Sequence, residues 1–368
     1  LSVGVIDPAP LSQFKLGKPD GRTAALMQSA IDTLKRTGVW DDAVPHGAPL
    51  RTLRIIDDST GVRRQQIETD FPAADIHLEY FGINMPNNIL RTLLAQAAHT
   101  HKNITLHDQL TLRDFTTDDF GVNATLSHGK VLRARLLAGA DGRQSLVRSQ
   151  SGIAVWQRDY GQKAMTCLIS HSLPHDDIST EFHRPGGPFT LVPLPGNTSS
   201  VVWVEKDQDA DHFMHLRQQD FTQALQDRTD GRLGQIGLLT PPQSCPLLGL
   251  RAQALTARRV ALLAEAAHVL SPLGAQGLNL SLRDVECLAD QIIQSAQTGI
   301  DYGAQNVLQS YERARRADIF LRSAGTDGLT RLVSHTSRPL HEMRRLGLRT
   351  LSMIEPLRLF AMQQGMAV

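Results

Sequence analysis

The residues best placed to do chemistry lie in one stretch, Ala261-Leu262-Leu263-Ala264-Glu265-Ala266-Ala267-His268, followed by Ser271-Pro272-Leu273-Gly274-Ala275-Gln276-Gly277-Leu278-Asn279-Leu280 and then Asp284. An apolar strand ends in an acid, a Pro/Gly loop turns the chain, and a helix begins close to Gly277. Pro272, Gly274 and Gly277 are small or rigid, so backbone can approach a flat ligand there, and the first helical amides, which have no intrahelical acceptor, aim at it. A helix N-terminus carries roughly half a positive charge, which suits a ligand that gains negative charge on reduction, such as a reduced flavin. A second stretch, Leu136-Leu137-Ala138-Gly139-Ala140-Asp141-Gly142 with Ser145 and Arg148 beyond it, delivers Asp141-Gly142 from a strand into a turn. Taken alone, Asp-Gly after a strand is only a turn. His268, at a strand-to-loop junction, reads either as a group that touches the ligand or as a structural hydrogen-bond partner. No nucleophile with a neighbouring base and no metal-ligand spacing stands out, and Cys167, Cys245 and Cys287 form no CxxC pair.

The elements that must hold these stretches follow from periodicity. The opening run Leu1 to Asp7 is β-rich, ends in an acid and reads as a buried parallel strand. Such a strand usually closes a βαβ dinucleotide unit, so roughly 30 residues, one such unit with its glycine-rich turn, are expected to precede it. Ala25, Leu26, Ile31 and Leu34 set a helical stripe from Arg22 to Arg36, stopped by Gly38, and Asn88 to Ala98 gives another helix. Short strands fill Leu50 to Tyr80, and alternation from Ile104 to Leu137 predicts a β-meander with a turn at His128-Gly129. Lys163 to Glu205 predicts a separate antiparallel sheet, a polar helix covers 208–227, and a long helix runs from about Gly277 to Ser295. Asn306 to Met362 is helical, with breaks expected at Gly325, Gly328, Pro339, Gly347 and Pro356. The chain has 38 basic and 37 acidic side chains and is 41% hydrophobic, so no global field recruits nucleic acid. The sparse cysteines point to a reduced, cytoplasmic setting, and no apolar run approaches the ~18 residues of a membrane-spanning helix.

At this point a resemblance becomes plain. The first stretch resembles the second flavin motif of the aromatic-ring hydroxylases, GDAAHxxxPxxGQGxN, and Leu136 to Arg148 resembles their internal GADGxxSxVR motif. Tyr311-Glu312-Arg313-Ala314-Arg315-Arg316-Ala317-Asp318, Thr326-Asp327-Gly328-Leu329 and Phe360-Ala361-Met362 are similar to the ubiquinone-biosynthesis branch of these p-hydroxybenzoate hydroxylase-like flavoprotein monooxygenases. The similarity spans essentially the whole chain. It implies an α/β fold: a Rossmann-like FAD-binding domain lacking its first βαβ unit, an antiparallel-sheet substrate domain and a helical C-terminal region. The FAD-binding domain would take 1–75, 76–160 with the β-meander, and 249–300; 161–248 would be mainly substrate domain and 301–368 the helical region.

The resemblance also implies that NAD(P)H reduces FAD, that dioxygen reacts at the reduced ring, and that one oxygen atom passes to the ring of a phenolic, polyprenylated substrate. Asp7 stands where the family binds the adenosine ribose, Arg22 where it meets the pyrophosphate, and Arg91 at another cofactor-side arginine. Asp141 and Gly142 form the DG pair between the flavin and the nicotinamide path. Pro272, Gly274, Gly277, Leu278 and Asn279 match the loop and helix start facing the isoalloxazine ring, with the amides of Leu278 and Asn279 toward its pyrimidine oxygen. Pro272 and His268 are the residues closest to the reacting end. The Gly-Asp of the motif is Ala264-Glu265 here, which leaves Glu265 one methylene longer as the ribityl-binding carboxylate. Met165, Phe189, Leu191 and Trp203 are core residues or pocket walls. Arg331, Arg338, Arg344, Arg345, Arg349 and Arg358, against Glu342 and Glu355, suggest either helices with basic outer faces or a peripheral contact with the inner membrane or with partners in ubiquinone synthesis.

Overall fold

The computed structural model describes residues 1–11, 17, 20–58, 66–271, 273–334 and 338–366, so Pro272 lies outside the described residues. The chain runs through β1 (Val3–Asp7), β2 (Thr23–Met27), α1 (Gln28–Thr37), α2 (Trp40–Ala43), β3 (Ala48–Leu50), β4 (Thr52–Asp57), β5 (Ile67–Pro72), β6 (Gly82–Pro86) and α3 (Asn87–Thr100). Next come β7 (Ile104–Asp108), β8 (Leu112–Thr117), β9 (Val122–Leu126), β10 (Val131–Ala134), β11 (Leu137–Gly139) and α4 (Leu146–Gln150). The middle holds β12 (Val155–His171), β13 (Ile178–Arg184), β14 (Gly187–Leu194), β15 (Thr198–Lys206), α5 (Asp207–Met214), α6 (Gln218–Arg228), β16 (Ile236–Leu238) and β17 (Gln243–Ala252). The last part is β18 (Thr256–Ala257), β19 (Val260–Leu262), β20 (His268–Val269), α7 (Gln276–Gln297), α8 (Gln305–Ser334), α9 (Arg338–Met353) and α10 (Glu355–Met366).

The cofactor half is built on short parallel pairings. β1 lies parallel to β7, and β11 lies parallel to β19 with Gly139 opposite Leu262. The glycine at 139 is a steric requirement: an added Cβ would stand 2.8 Å from Val147 Cγ1, so only hydrogen lets α4 pack on the strand. α7 and α8 cover β19 with an apolar cluster that includes Val260, Leu262, Leu280, Leu288, Leu308 and Tyr311. The buried Tyr311 hydroxyl donates to the Leu262 carbonyl at 2.8 Å, which fixes α8 to the strand that leads into the chemistry-bearing loop.

The larger sheet runs β20-β17-β12-β15-β14-β13-β4-β5, antiparallel except where β13 lies parallel to β4. One face is a core of Met165, Phe182, Phe189, Leu191 and Trp203 packed against residues of α5 and α6. Trp203 is completely buried, edge-on to Phe189, with the Arg228 guanidinium 4.3 Å from its ring centre and its indole N–H donated to Glu205. The side chains proposed as core or pocket wall are therefore core.

Several expectations need correction. Val3–Asp7 is parallel but not buried: Val3 is exposed and the strand's last residues are half-buried, because the paired strand β7 covers only one flank. The helix expected over Arg22–Arg36 starts at Gln28, since Thr23–Met27 is claimed by β6 as an antiparallel partner. Ile104–Asp108 joins β1, leaving β8, β9 and β10 as the meander. β4 and β5, from the part assigned to FAD binding, belong to the large sheet, and the polar helix at 208–227 is two helices. α8 runs through Gly325 and Gly328, and α9 through Gly347, because packing on the sheet offsets the roughly 1 kcal/mol that each glycine costs a helix. Pro339 and Pro356 each sit second in their helix, where the missing N–H has no acceptor to lose. Gly325 and Gly328 are exposed, with nothing within 4 Å of an added Cβ. Replacing both with alanine should stabilise the chain by about 1–2 kcal/mol and raise Tm by roughly 1–3 °C in a calorimetric melt.

Candidate active site

β19 ends at Leu262, and the Leu263 amide is donated to the Gly139 carbonyl at 2.9 Å, so the ends of β11 and β19 are tied where their motifs leave the sheet. From β11 the chain enters the Asp141-Gly142 turn. The Asp141 carboxylate accepts from the Ser145 hydroxyl and, at 3.0 Å, from the Val147 amide, while Ser145 caps α4 by accepting from Arg148 N. Gly142 has φ 80°, open to glycine, and nothing lies within 4 Å of where its Cβ would be. Arg148 is buried and spans the two motifs, donating to the carbonyls of Ala266 and Arg143, each at 2.8 Å.

From β19 the chain makes a short turn, Ala264–Ala266, which leaves Glu265 exposed. Counted on from Pro272, the first glycine of GQG falls on Ala275, and the glycine of GDAAH falls on Ala264. Both alanines keep the left-handed backbone that glycine would adopt, at φ 51° and φ 52°. For a residue with a Cβ that conformation costs about 1–2 kcal/mol. Gly274, φ 73°, precedes Ala275. Gly277 and Leu278 are exposed in the first turn of α7, where amides lack intrahelical acceptors, and no atom lies within 4 Å of a Gly277 Cβ. Asn279 is buried. Its Oδ1 accepts from Met27 N at 2.8 Å, and its Nδ2 is donated to the carbonyls of Ala25 and Ala275, so it fastens the helix start to β2. His268 is buried with Nε2 2.6 Å from Asp284 Oδ2, which gives it a structural hydrogen-bond partner away from solvent.

Asp7 stands at the C-terminal end of β1, its carboxylate accepting from Ala9 N at 2.7 Å. Thus Asp7, Asp141 and Glu265 each follow the carboxyl end of a strand in a parallel pair, the side of an α/β sheet where ligands bind. Arg22 is hydrogen-bonded to Asp20, and the charge of Arg91 also acts on that carboxylate. Burial opposes that carboxylate's charge, but the Arg22 hydrogen bonds and the charges of Arg22 and Arg91 outweigh it and hold it below the usual carboxylate range. Cys245 lies on β17; desolvation by the surrounding protein pushes its thiol up although the residue is exposed, with the charges of Arg143 and Arg22 opposing the shift and that of Glu265 adding to it. Sequence reasoning missed Arg143 and Cys245; Arg143 adjoins Gly142, but a lone cysteine on a strand gave no signal.

The donor types suit an elongated, doubly phosphorylated cofactor with a flat ring: the arginines Arg22 and Arg91, carboxylates at strand ends, and open backbone at Gly142 and Gly277. Fold and site together define an FAD-dependent monooxygenase. Residues 12–319 match the FAD binding domain family. The chain is 33% identical over its whole length, and over 84% of the relative's, to ubiquinone hydroxylase UbiL of Rhodospirillum rubrum. It is 30% identical to the 3-demethoxyubiquinol 3-hydroxylase of Escherichia coli, covering 94% of this chain and 88% of that one. The chain therefore belongs to the FAD-binding family of the ubiquinone hydroxylases. In fold it is similar to the p-nitrophenol 4-monooxygenase PnpA of Pseudomonas putida, with TM-score 0.77, 17% identity and coverage of 99% and 98% of the two chains. A second structural relative, HpxO of Klebsiella pneumoniae complexed with FAD and uric acid, gives TM-score 0.74 at 16% identity over 100% and 97%.

Two measurements check this cleft. Alkylation of Cys245, followed by peptide mass spectrometry, should be slower at pH 8 than for an unperturbed thiol, speed up as pH rises toward the elevated thiol value, and slow further when FAD is added; labelling indifferent to FAD would separate β17 from the cofactor. Arg148→Met strands the Ala266 and Arg143 carbonyls and should destabilise the chain by about 2–4 kcal/mol in urea unfolding.

Proposed function

We propose that the chain hydroxylates the aromatic ring of a polyprenyl phenol in ubiquinone biosynthesis, using NAD(P)H and dioxygen. The observation that carries this reading is the tie between the two motif turns through Arg148, with the open start of α7 beside them. Bound there, FAD supplies the electron transfer and dioxygen activation that no side chain can supply. In this reading the amides of Gly277, Leu278 and Asn279 hold the ring's pyrimidine edge, and the helix dipole favours the negative charge of the reduced form. Asp7 and Glu265 take the ribose and ribityl hydroxyls, and Arg22 and Arg91 meet the pyrophosphate, which suits a guanidinium's planar donors. Asp141 and Gly142 flank the nicotinamide path. By its place in the motif Pro272 is assigned to the reacting end, and His268 supports the loop from behind through Asp284. The large sheet brings the substrate ring over this surface and keeps water from it.

A long apolar tail also requires access from a lipid phase. Leu346, Met353, Ile354, Leu357 and Phe360 are exposed along α9 and α10, and they support a peripheral membrane contact for this chain. Among the described residues, no helix is long and apolar enough to cross a membrane.

The test uses the protein purified with FAD. A flavin absorption spectrum, NAD(P)H oxidation stimulated by a polyprenyl phenol, and a product gaining one oxygen atom are expected. Stimulation by small phenolic acids alone would move the substrate to soluble phenols, and absence of flavin binding would overturn the enzyme reading in favour of a scaffold.

A further inference from the structure

A series of side-chain bonds crosses α7 and α8, ending at the left-handed Ala264 on one side and at Gln276, the neighbour of the left-handed Ala275, on the other. Ala264 N is donated to Asp284 Oδ2 at 3.1 Å, and the other oxygen of Asp284 accepts from Arg315 Nε at 2.8 Å. Arg315 Nη1 is donated to Asp318 Oδ2 at 2.7 Å, and Asp318 Oδ1 accepts from Arg322 Nε at 2.8 Å. Arg322 Nη1 is then donated to Oε1 of Gln276, the residue directly after Ala275, also at 2.8 Å. Asp284 is wholly buried and Arg315 nearly so, and a charge there persists only with a bonded partner. Burial works against the Arg315 cation, and its bonds to Asp284 and Asp318 outweigh that; Asp318 is likewise held below the usual carboxylate range, burial being overcome by Arg315 and Arg322. Arg283, 3.5 Å from Asp318, adds a further cation to the same node.

A left-handed alanine persists only where its surroundings over-determine it. Here each such alanine adjoins one terminus of the chain, and the segment between them contains the loop read as the cofactor's seat. We infer that Arg315, Asp318 and Arg322 of α8, with Asp284 and Gln276 of α7, are positioning residues that hold Ala264 and Ala275 in the left-handed backbone the cofactor loop needs. They replace by side-chain bonding the conformational freedom that glycine would give. This explains what the buried Arg315 of the Tyr311–Asp318 segment does: it reaches the loop through Asp284.

The inference rests on FAD binding at this loop, and the test separates the two. The full chain is compared as wild type, Arg322→Met, Arg322→Lys, Ala275→Gly and Arg322→Met with Ala275→Gly. FAD affinity is read by flavin fluorescence titration, the bound flavin by its visible spectrum, and the apoprotein by its melting temperature. Loss of the two Arg322 hydrogen bonds, to Asp318 and Gln276, should weaken FAD binding roughly tenfold in Arg322→Met and alter the flavin spectrum, with partial recovery in Arg322→Lys. Adding Ala275→Gly should restore most of the affinity, because glycine adopts the required backbone unaided. An Arg322→Met protein that melts lower but binds FAD as wild type does would overturn the inference, as would a tenfold loss that Ala275→Gly leaves untouched. Wild type that binds no FAD would instead sink the functional reading.

Discussion

Asp284 has no solvent exposure, and its carboxylate is shared among the Ala264 amide, the His268 imidazole and the Arg315 guanidinium. An ionised carboxylate in such a place is tolerable only because the pairing is charge-assisted and its other oxygen is satisfied by backbone and imidazole. The three partners come from different elements: the turn after β19, the start of β20 and α8. The cost of burying one charge thus fixes the relative placement of strand, helix and loop. Removing any one partner leaves the others around an uncompensated group, the situation in which buried ion pairs are most destabilising to break.

Arg148 plays the corresponding part on the other side of the turn. Its guanidinium is buried between the DG turn and the turn after β19, and its two carbonyl partners belong to segments far apart in sequence. Asp141, meanwhile, spends acceptor capacity on its own turn through Ser145 and Val147. The DG pair is first a piece of architecture that sets where α4 begins; its readiness to face a ligand follows from Gly142 being open, not from an idle carboxylate. The same division holds at α7. Asn279 uses its side chain to hold β2 and Ala275, and only its backbone is left for the cofactor face.

What was legible in the sequence was whatever depended on local pattern. The helix from Gln276, the strand at Val260–Leu262 and the turn after Gly139 all carry their own periodicity or punctuation, so the two motifs could be placed before any tertiary contact was known. Thr23–Met27 was illegible because Ala24, Ala25 and Leu26 suit a helix as well as a strand, and pairing with β6 decided the matter. Gly325 and Gly328 misled for the opposite reason: a local penalty of about 1 kcal/mol each is overridden by the packing of a long helix. The Asp284–Arg315–Asp318–Arg322–Gln276 chain was out of reach, since its charges read as ordinary helix residues until α7 and α8 are laid together.

The C-terminal helices make the same point about charge. The arginines of that region suggested a basic outer face, yet Arg331 pairs with Asp327, Arg345 lies 3.7 Å from the buried Asp57, and Arg358 pairs with Asp75. Asp57 stands on β4 and Asp75 in the turn after β5, so Arg345 and Arg358 tie α9 and α10 to the body of the protein, whereas the Arg331–Asp327 pair lies within α8. The Arg338 and Arg344 side chains lie outside the described ones. Among the described residues, α9, α10 and the joint between them turn outward the apolar Leu346, Met353, Ile354, Leu357 and Phe360 beside Glu342, Arg349 and Glu355. A count of charges along a sequence therefore does not give the charge of a surface: where cations have inward partners, attraction to a partner or a lipid phase must come from apolar area, whose strength salt does not screen.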